Sequence, residues 1–102
     1  MKKIERSRIR ELMASETGLF VKNHKKSKRL FERARSSLLA GVPMSWMVRW
    51  AGSYPIFVER GSGAYVYDVD GHKYLDLCLG DTGSMFGHSP KPVVDAVRKQ
   101  IS

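Results

Sequence analysis

Two alternating runs on either side of an Asp-Gly turn constrain the fold of this chain more than any other feature. The runs Ala64–Asp68 and Lys73–Leu77 mix β-branched or aromatic residues with polar ones at period two, the pattern of a half-buried strand. Between them, Gly71 supplies the positive φ that a tight hairpin turn needs. A third short run, Ile56–Glu59, comes before them. The sequence therefore predicts a small three-stranded antiparallel meander.

Helical patterns flank this meander on both sides. A short polar helix is predicted over Ile4–Ala14, with an interruption at Thr17-Gly18, and a longer amphipathic helix over Leu19–Ala40. Gly41 stands where a C-cap glycine belongs. After the meander, Ser89 is the predicted N-cap of a final helix. The expected fold class is an α+β arrangement of N-terminal helices, a three-stranded antiparallel β-meander and a C-terminal helix.

On this interpretation the chain divides into four segments. Residues 1–18 form a basic N-terminal helix or tail, and residues 19–41 form the amphipathic helix. Residues 42–55 form an apolar loop that faces a substrate or an interface. Residues 56–102 contain the meander, a glycine-rich loop and the last helix.

The loop 42–55 is rich in apolar side chains although it has no strand period. Surface loops normally lack such a concentration of apolar surface, so a further domain, a second subunit or a ligand is expected to cover it. We therefore expect the 102 residues to be a fragment that is partly ordered and prone to aggregate when isolated. The large apolar residues of this loop are Met44, Trp46, Met47, Val48 and Trp50.

The excess positive charge lies in the first third of the chain. Residues 1–35 contain 12 Lys or Arg and 4 Asp or Glu, whereas residues 36–102 contain 6 of each, so the net charge of +8 arises before residue 36. The solvated face of a surface helix explains this asymmetry. The alternative is a small basic binding module that contacts nucleic acid or an anionic surface, with an affinity that falls steeply with added salt.

Cysteine content and hydropathy restrict the redox state and the compartment. The single cysteine, Cys78, excludes an intramolecular disulfide and is predicted to be a buried, inert thiol. No apolar run is long enough to span a bilayer, and no apolar segment follows the charged N-terminus as in a secretory signal. A cytoplasmic location is therefore expected.

Three aspartates lie in or beside the predicted hairpin. The run Asp68-x-Asp70-Gly71 does not fit a calcium loop, and the histidines lack the spacing of metal ligands, so no metal site is predicted. Asp68, Asp70 and Asp76 are interpreted as residues that form turn hydrogen bonds or face solvent, and not as a catalytic carboxylate pair.

Three motifs resemble the N-terminal segment of class III aminotransferases. They are G-A-Y-V-Y-D-V-D-G-H-K-Y-L-D at Gly63–Asp76, G-H-S-P at Gly87–Pro90 and V-V-D-A-V at Val93–Val97. These enzymes have fold-type I and depend on pyridoxal 5'-phosphate (PLP). The resemblance is greatest to their glutamate-1-semialdehyde aminomutase-like branch, and it extends over Leu30–Ser102.

The resemblance implies that the complete enzyme is an α/β homodimer that moves an amino group between a small-molecule amino donor and a carbonyl acceptor. This chain would form part of the small domain. In the family, the Schiff-base lysine, the phosphate-binding loop and the aspartate that pairs with the pyridinium lie downstream of the matched region. No catalytic or cofactor-binding residue is therefore assigned, and the 102 residues alone are expected to be inactive. A truncated remnant that acts only as a partner subunit is a further alternative.

The resemblance also implies substrate-binding residues in the glycine-rich loop. The loop Gly80–His88 would line the substrate entrance of the dimer, where Asp81, Thr82 and Ser84 would face the substrate. The alternative is a turn in which the glycines only satisfy backbone geometry. His88 is expected to orient its neighbours through hydrogen bonds and not to act as a base.

A second candidate segment contains Arg49. In the aminomutase-like branch an arginine in this region can hold a substrate carboxylate, and the guanidinium fork suits that bidentate contact. The spacing of Arg49 from Gly41 and to Pro55 departs from the family pattern. Trp46 and Trp50 flank Arg49 and are candidates for an apolar wall of the same pocket, but packing in a core or an interface is the expected role of both.

Overall fold

A computed structural model describes residues 5–49 and 52–102, which form two compact units divided between Ile56 and Phe57. Ile4, in the first predicted helix, and Trp50, in the apolar loop, lie outside the described residues. The described part of the first unit is helical, and the second unit contains a sheet and the last helix.

The first unit begins with helix α1 (Arg6–Asn23), followed by helix α2 (Lys25–Ala34). The interruption predicted at Thr17-Gly18 is wrong, because α1 continues through both residues. A glycine inside a helix costs only about 1 kcal/mol relative to alanine, which is too little to end a helix of this length. Short 3-10 turns follow α2 at Leu39–Gly41 and Ser45–Val48.

The break between α1 and α2 lies at His24. Its backbone leaves helical geometry (φ −117°, ψ 47°), and Nδ1 of its ring donates to the carbonyl oxygen of Phe20 at 2.8 Å. The two rings also stack, with centroids 4.2 Å apart. A side chain that bonds the carbonyl four residues earlier competes with continuation of the helix. The single helix predicted over 19–41 is therefore interrupted.

Helix α2 also ends earlier than predicted, at Ala34. The hydroxyl of Ser36 donates to the carbonyl oxygen of Arg33 at 2.7 Å, which satisfies one of the carbonyls that a helix end leaves unpaired. Gly41 does not cap α2. It takes φ +75° in the turn that follows, where its backbone is buried.

Tyr54 and Val42 form the core of the first unit, with 5% and 6% of their surface exposed. The ring centroid of Tyr54 lies 5.1 Å from that of Phe20 in α1 and 6.3 Å from that of Phe31 in α2. Its hydroxyl donates to the carbonyl oxygen of Val21 at 3.4 Å. One aromatic side chain therefore holds the end of the 42–55 segment against both helices.

The second unit contains a three-stranded antiparallel sheet, and the predicted meander is confirmed. In the turn between the second and third strands, Gly71 has φ +97°, as a tight hairpin requires. The strands are β1 (Val58–Ser62), β2 (Tyr65–Asp68) and β3 (Lys73–Leu75), paired in that order.

Strand β1 begins two residues later than the predicted run 56–59. A bulge between Val58 and Arg60 shifts its register against β2, so that Gly61 pairs with Val66, which in turn pairs with Tyr74 of β3. The bulge adds a local bend that the period-two pattern alone does not reveal.

Helix α3 (Lys91–Ile101) completes the second unit, with Pro90 at its N-cap position. The predicted N-cap, Ser89, is wrong. Ser89 has φ +52°, and its hydroxyl donates to the carbonyl oxygen of Gly61 at 3.1 Å, so its side chain bonds the sheet instead of the helix.

The described residues confirm the predicted fold class, with N-terminal helices, a three-stranded meander and a C-terminal helix in that order. Within the same described ranges, none of the helices combines the length and the apolar character that crossing a membrane requires.

Candidate functional site

A buried carboxylate organises the turn between β2 and β3. Asp68 is only 1% exposed, so the prediction that it faces solvent is wrong, whereas the hydrogen bonding predicted for it in the turn is present. The backbone N–H of His72 donates to Oδ1 of Asp68 at 2.8 Å. The ring Nδ1 of His72 and the hydroxyl of Tyr74 each donate to Oδ2 at 2.9 Å. Three donors from the opposite side of the hairpin therefore fix this carboxylate.

Two opposing effects act on the pKa of Asp68. Burial raises it, but the hydrogen bonds from His72 and Tyr74 outweigh burial and leave the pKa below its ordinary value of 3.8. Burial, followed by the bond to Asp68 and its negative charge, raises the pKa of Tyr74 to about 12. At neutral pH the carboxyl is therefore ionised and the phenol is neutral, which matches their acceptor and donor roles.

A second carboxylate, Asp76, ties the two ends of the glycine-rich loop together. Its Oδ1 accepts hydrogen bonds from the backbone N–H groups of Cys78 and Leu79 at 2.9 and 3.0 Å, at the start of the loop. Its Oδ2 accepts from Nε2 of His88 at 2.6 Å, at the end of the loop. These bonds, with that from His88 first among them, hold the pKa of Asp76 below its ordinary value.

His88 contacts the middle of the loop and the edge of the sheet as well. Its Nδ1 lies 3.3 Å from Oγ of Ser84, within hydrogen-bond distance of the hydroxyl. Its backbone N–H donates to the carbonyl of Gly63 at 2.7 Å, and its carbonyl accepts from Gly63 at 3.0 Å. Its ring packs on Gly61, where a Cβ atom would lie 2.7 Å from the ring Cγ.

Between these contacts the loop has an unusual backbone. In the 3-10 turn Leu79–Thr82, the residues Leu79, Gly80 and Asp81 have φ values of +57°, +53° and +61°. Positive φ costs a non-glycine residue about 1–2 kcal/mol, so Leu79 and Asp81 keep this conformation only because their surroundings impose it. The side chains of Asp81 and Thr82 are exposed.

The structure brings the three loop candidates into one short segment but gives them different surroundings. Asp81 and Thr82 are exposed, whereas Ser84 is half-buried with its hydroxyl at His88. The buried position predicted for Cys78 is wrong. Cys78 is exposed, because the chain leaves the sheet at the end of β3 and the residue lies in the bend that follows.

The other two candidates, Arg49 and Trp46, belong to the first unit. Trp46 lies in the turn Ser45–Val48 and is 62% exposed, so packing in the core of this unit does not account for it. Arg49 follows that turn, is exposed, and donates its backbone N–H to the carbonyl oxygen of Trp46 at 3.3 Å. Nearby, Met47 and Val48 line a cavity of about 100 Å³. Arg49 and Trp46 are therefore adjacent and both accessible.

The two carboxylates predict that the chain loses stability in acid. Each has a folded-state pKa below its unfolded value, so each stabilises the fold above the unfolded pKa of about 3.9 and loses that contribution as the pH falls through the folded value. We expect the free energy of unfolding to decrease below about pH 4. Hydrogen exchange of residues 57–88 at a series of pH values, in a longer protein that carries this segment, measures the decrease. Asp76→Asn is the control, since it removes one contribution, and an unchanged acid slope in this variant would contradict the assignment.

Comparison with known proteins identifies the family to which these motifs belong. Residues 46–102 match the family model of class-III aminotransferases. The chain is 42% identical over 76 residues to the glutamate-1-semialdehyde 2,1-aminomutase of Methanocaldococcus jannaschii, a match that covers 74% of this chain and 17% of that protein. It is 45% identical over 74 residues to the same enzyme of Thermoplasma acidophilum, covering 72% and 17% respectively.

Solved structures of two enzymes extend the similarity. The glutamate-1-semialdehyde aminomutase of Pseudomonas aeruginosa in complex with PMP superposes with a TM-score of 0.86 at 37% identity, over 96% of this chain and 22% of that one. The β-phenylalanine aminotransferase of Variovorax paradoxus gives 0.81 at 29% identity, over 91% and 21%. The chain thus spans about a fifth of the length of these relatives. Both the matched family model and the matched folds place it in one group: the chain belongs to the class-III aminotransferase family.

Proposed function

We propose that this chain is the N-terminal segment of a PLP-dependent aminotransferase or aminomutase, a cytoplasmic homodimer that moves an amino group between an amino donor and a carbonyl acceptor. The observation that carries the proposal is the similarity over 96% of the chain to an aminomutase in complex with PMP. The similarity to an aminotransferase of β-phenylalanine supports the wider reaction class. PLP, when bound, supplies the electron sink for this chemistry.

The described residues of this chain do not themselves fit the cofactor. A lysine that forms a Schiff base needs a partly desolvated position, in which its pKa falls and the neutral amine can react. The lysines that the structure describes are all exposed. None of these described lysines is therefore a candidate for the Schiff base, and a polypeptide of the described residues is expected to show neither transamination nor the absorbance of a bound PLP aldehyde. The exposed lysines are Lys22, Lys25, Lys26, Lys28, Lys73, Lys91 and Lys99.

The contribution of this chain to the reaction is substrate binding by the glycine-rich loop. Asp81 and Thr82 project from a backbone that Asp76 and His88 fix at both ends. Polar groups held in advance bind a substrate without the entropic cost of ordering a mobile loop. Ser84 would act less directly, because its hydroxyl is already bonded to His88.

Arg49 would bind the carboxylate of an amino acid substrate. Its side chain is exposed and follows the 62%-exposed ring of Trp46, which offers an apolar surface beside a cation. An arginine can hold a carboxylate through two parallel N–H···O bonds. The pair would then supply the charge and the wall of one subsite.

A chimera tests the proposal in an enzyme that is otherwise complete. This chain replaces the matched N-terminal segment of the Pseudomonas aeruginosa aminomutase, and the reaction of the bound cofactor is followed by absorbance with glutamate-1-semialdehyde and with a panel of amino acids. We expect the chimera to retain kcat/KM within about tenfold of the parent for at least one substrate. A folded, PLP-loaded chimera without activity on any of them would contradict the proposal.

The same chimera tests the role of Arg49. We expect Arg49→Ala to raise KM for a substrate carboxylate by about 10- to 100-fold, because a charge-assisted bidentate contact contributes about 1.5–3 kcal/mol. Steady-state kinetics measure the change. Arg98→Ala, which removes an exposed cation from α3, is the matched control and should leave KM unchanged. Equal KM values for Arg49→Ala and Arg98→Ala would show that Arg49 does not bind the substrate carboxylate.

A further inference from the structure

We propose that His88 is a positioning residue that sets the conformation of the substrate-binding loop, an inference that rests on the proposed function of that loop. Its side chain makes two contacts that serve one purpose. Nε2 donates to Asp76 at 2.6 Å, and Nδ1 lies 3.3 Å from the hydroxyl of Ser84. The first contact joins the two ends of the loop, and the second reaches its middle.

His88 anchors the loop through Asp76, and the two carboxylate oxygens of Asp76 have separate roles. Oδ1 accepts the backbone N–H groups of Cys78 and Leu79 and so forms the first bend of the loop. Oδ2 is left for His88. Because a carboxylate has a fixed shape, the position of the imidazole and the position of the first bend are coupled through it.

The loop needs this anchor because its backbone conformation is unfavourable in free energy. Leu79 and Asp81 both have positive φ, and a free loop would relax to commoner conformations. The side chain of Asp81 would then point elsewhere. His88 therefore acts on the substrate through the residues that it holds, and it does not itself need to touch the reacting atoms.

Contacts with the sheet fix the position of the His88 ring, in addition to the rotamer of its side chain. Gly61 of β1 has no side chain, and a Cβ there would lie 2.7 and 2.8 Å from Cγ and Cβ of His88. The backbone of His88 also pairs with Gly63 through two hydrogen bonds. These contacts give a second way to move the ring, in which Asp76, Ser84 and His88 all keep their identity.

The experiment uses the PLP-loaded chimera with four single substitutions. His88→Ala removes the anchor, His88→Gln restores an N–H donor that can reach Asp76, and Gly61→Ala displaces the ring. Lys91→Ala, which breaks only an exposed ion pair with Asp95 on α3, is the control. KM, kcat, PLP content and hydrogen exchange of residues 79–87 are measured for each variant.

We expect His88→Ala and Gly61→Ala to raise KM by about tenfold or more and to leave kcat within about threefold. The reason is that a displaced loop loses its contacts with the substrate, and these contacts act in binding, before the chemical step. Exchange of residues 79–87 should increase by about tenfold. His88→Gln should recover part of both effects, and PLP content should not change. A purely structural role would instead lower the loaded fraction, and with it the apparent kcat, without changing KM.

Unchanged KM in both His88→Ala and Gly61→Ala would overturn the proposal. If His88→Ala does not accumulate as a folded protein, Gly61→Ala decides the question alone, and an unchanged KM in that variant would overturn the proposal. An inactive chimera without substitutions would refute the proposed function instead. Hydrogen exchange would still test the anchor in that case, and equal exchange of residues 79–87 with and without His88 would refute it.

Discussion

Asp68→Asn is expected to destabilise the sheet unit by about 2–4 kcal/mol, more than any other single change of a polar side chain in this unit. Asp68 is 1% exposed, and its Oδ1 accepts a hydrogen bond from the backbone N–H of His72, while its Oδ2 accepts from the ring of His72 and from the hydroxyl of Tyr74. An asparagine has one acceptor oxygen, so its NH₂ group must face at least one of the donors from His72 or Tyr74. These donors are partly buried, so one of them left without an acceptor loses much of the free energy of its hydration.

Tyr74→Phe gives the matched comparison. It removes one donor and leaves both hydrogen bonds from His72 in place, so we expect a loss of only about 1 kcal/mol. In the double variant the two effects should not add, because Asp68→Asn already weakens the bond that Tyr74 makes. Hydrogen exchange of residues 57–76 in the PLP-loaded chimera measures all three values. Additive losses would show that the two side chains do not interact as the geometry indicates.

An optical titration checks the same contact independently. Burial, followed by the hydrogen bond to Asp68 and its negative charge, raises the pKa of Tyr74 to about 12. Replacing the carboxylate by a neutral amide removes the electrostatic part of that increase. The pKa of Tyr74 should therefore move towards the ordinary value of 10.0 in Asp68→Asn. If Tyr74 had the same pKa with Asp68 and with Asn at that position, the charge of Asp68 would not contribute to the increase.

The hairpin could be predicted because its determinants are local. Alternation over Ala64–Asp68 and a glycine at the positive-φ position of the turn are both readable within a few residues. Which side of the sheet would be buried was not readable in this way. Asp68 is buried, while Tyr65 is 38% exposed with Nζ of Lys73 lying 3.8 Å from its ring centroid. The cation above the ring of Tyr65 stabilises an exposed aromatic residue, and the donors around Asp68 stabilise a buried carboxylate. The usual rule that apolar residues are buried and charged ones exposed therefore fails for this pair.

The hydrogen bonds that hold the glycine-rich loop could not be predicted either, for a different reason. Asp76 and His88 are 12 residues apart, and the ring of His88 depends on the missing side chain of Gly61 on another strand. The motif G-H-S-P identified the position of the histidine and its role as a hydrogen-bond partner, but not the groups that it binds. The boundary between α1 and α2 is similar, since His24 lies in an aromatic cluster completed by Tyr54, which is 30 residues later.

Two glycines of the first unit should respond to alanine with opposite signs. At Gly41, φ is +75°, and a Cβ atom would lie 2.8 Å from both Cγ of Arg35 and Cε2 of Phe31. The backbone strain costs about 1 kcal/mol, and displacing a ring that packs near Tyr54 adds a further 1–3 kcal/mol, so we expect Gly41→Ala to destabilise the unit by about 2–4 kcal/mol. Little relaxation is possible, because the glycine itself is buried.

At Gly18 the same substitution meets no atom within 4 Å, and the residue lies inside α1. Alanine restricts the unfolded chain more than glycine does and suits a helix better, so Gly18→Ala should stabilise the unit by about 0.5–1 kcal/mol. Hydrogen exchange of residues 6–42 in the chimera compares the two variants under identical conditions. If Gly41→Ala were as stable as the unsubstituted chimera, the close packing of Gly41 against Phe31 and Arg35 would not exist in solution. Opposite signs for the two substitutions would show that Gly41 is required by its positive φ and by these contacts together.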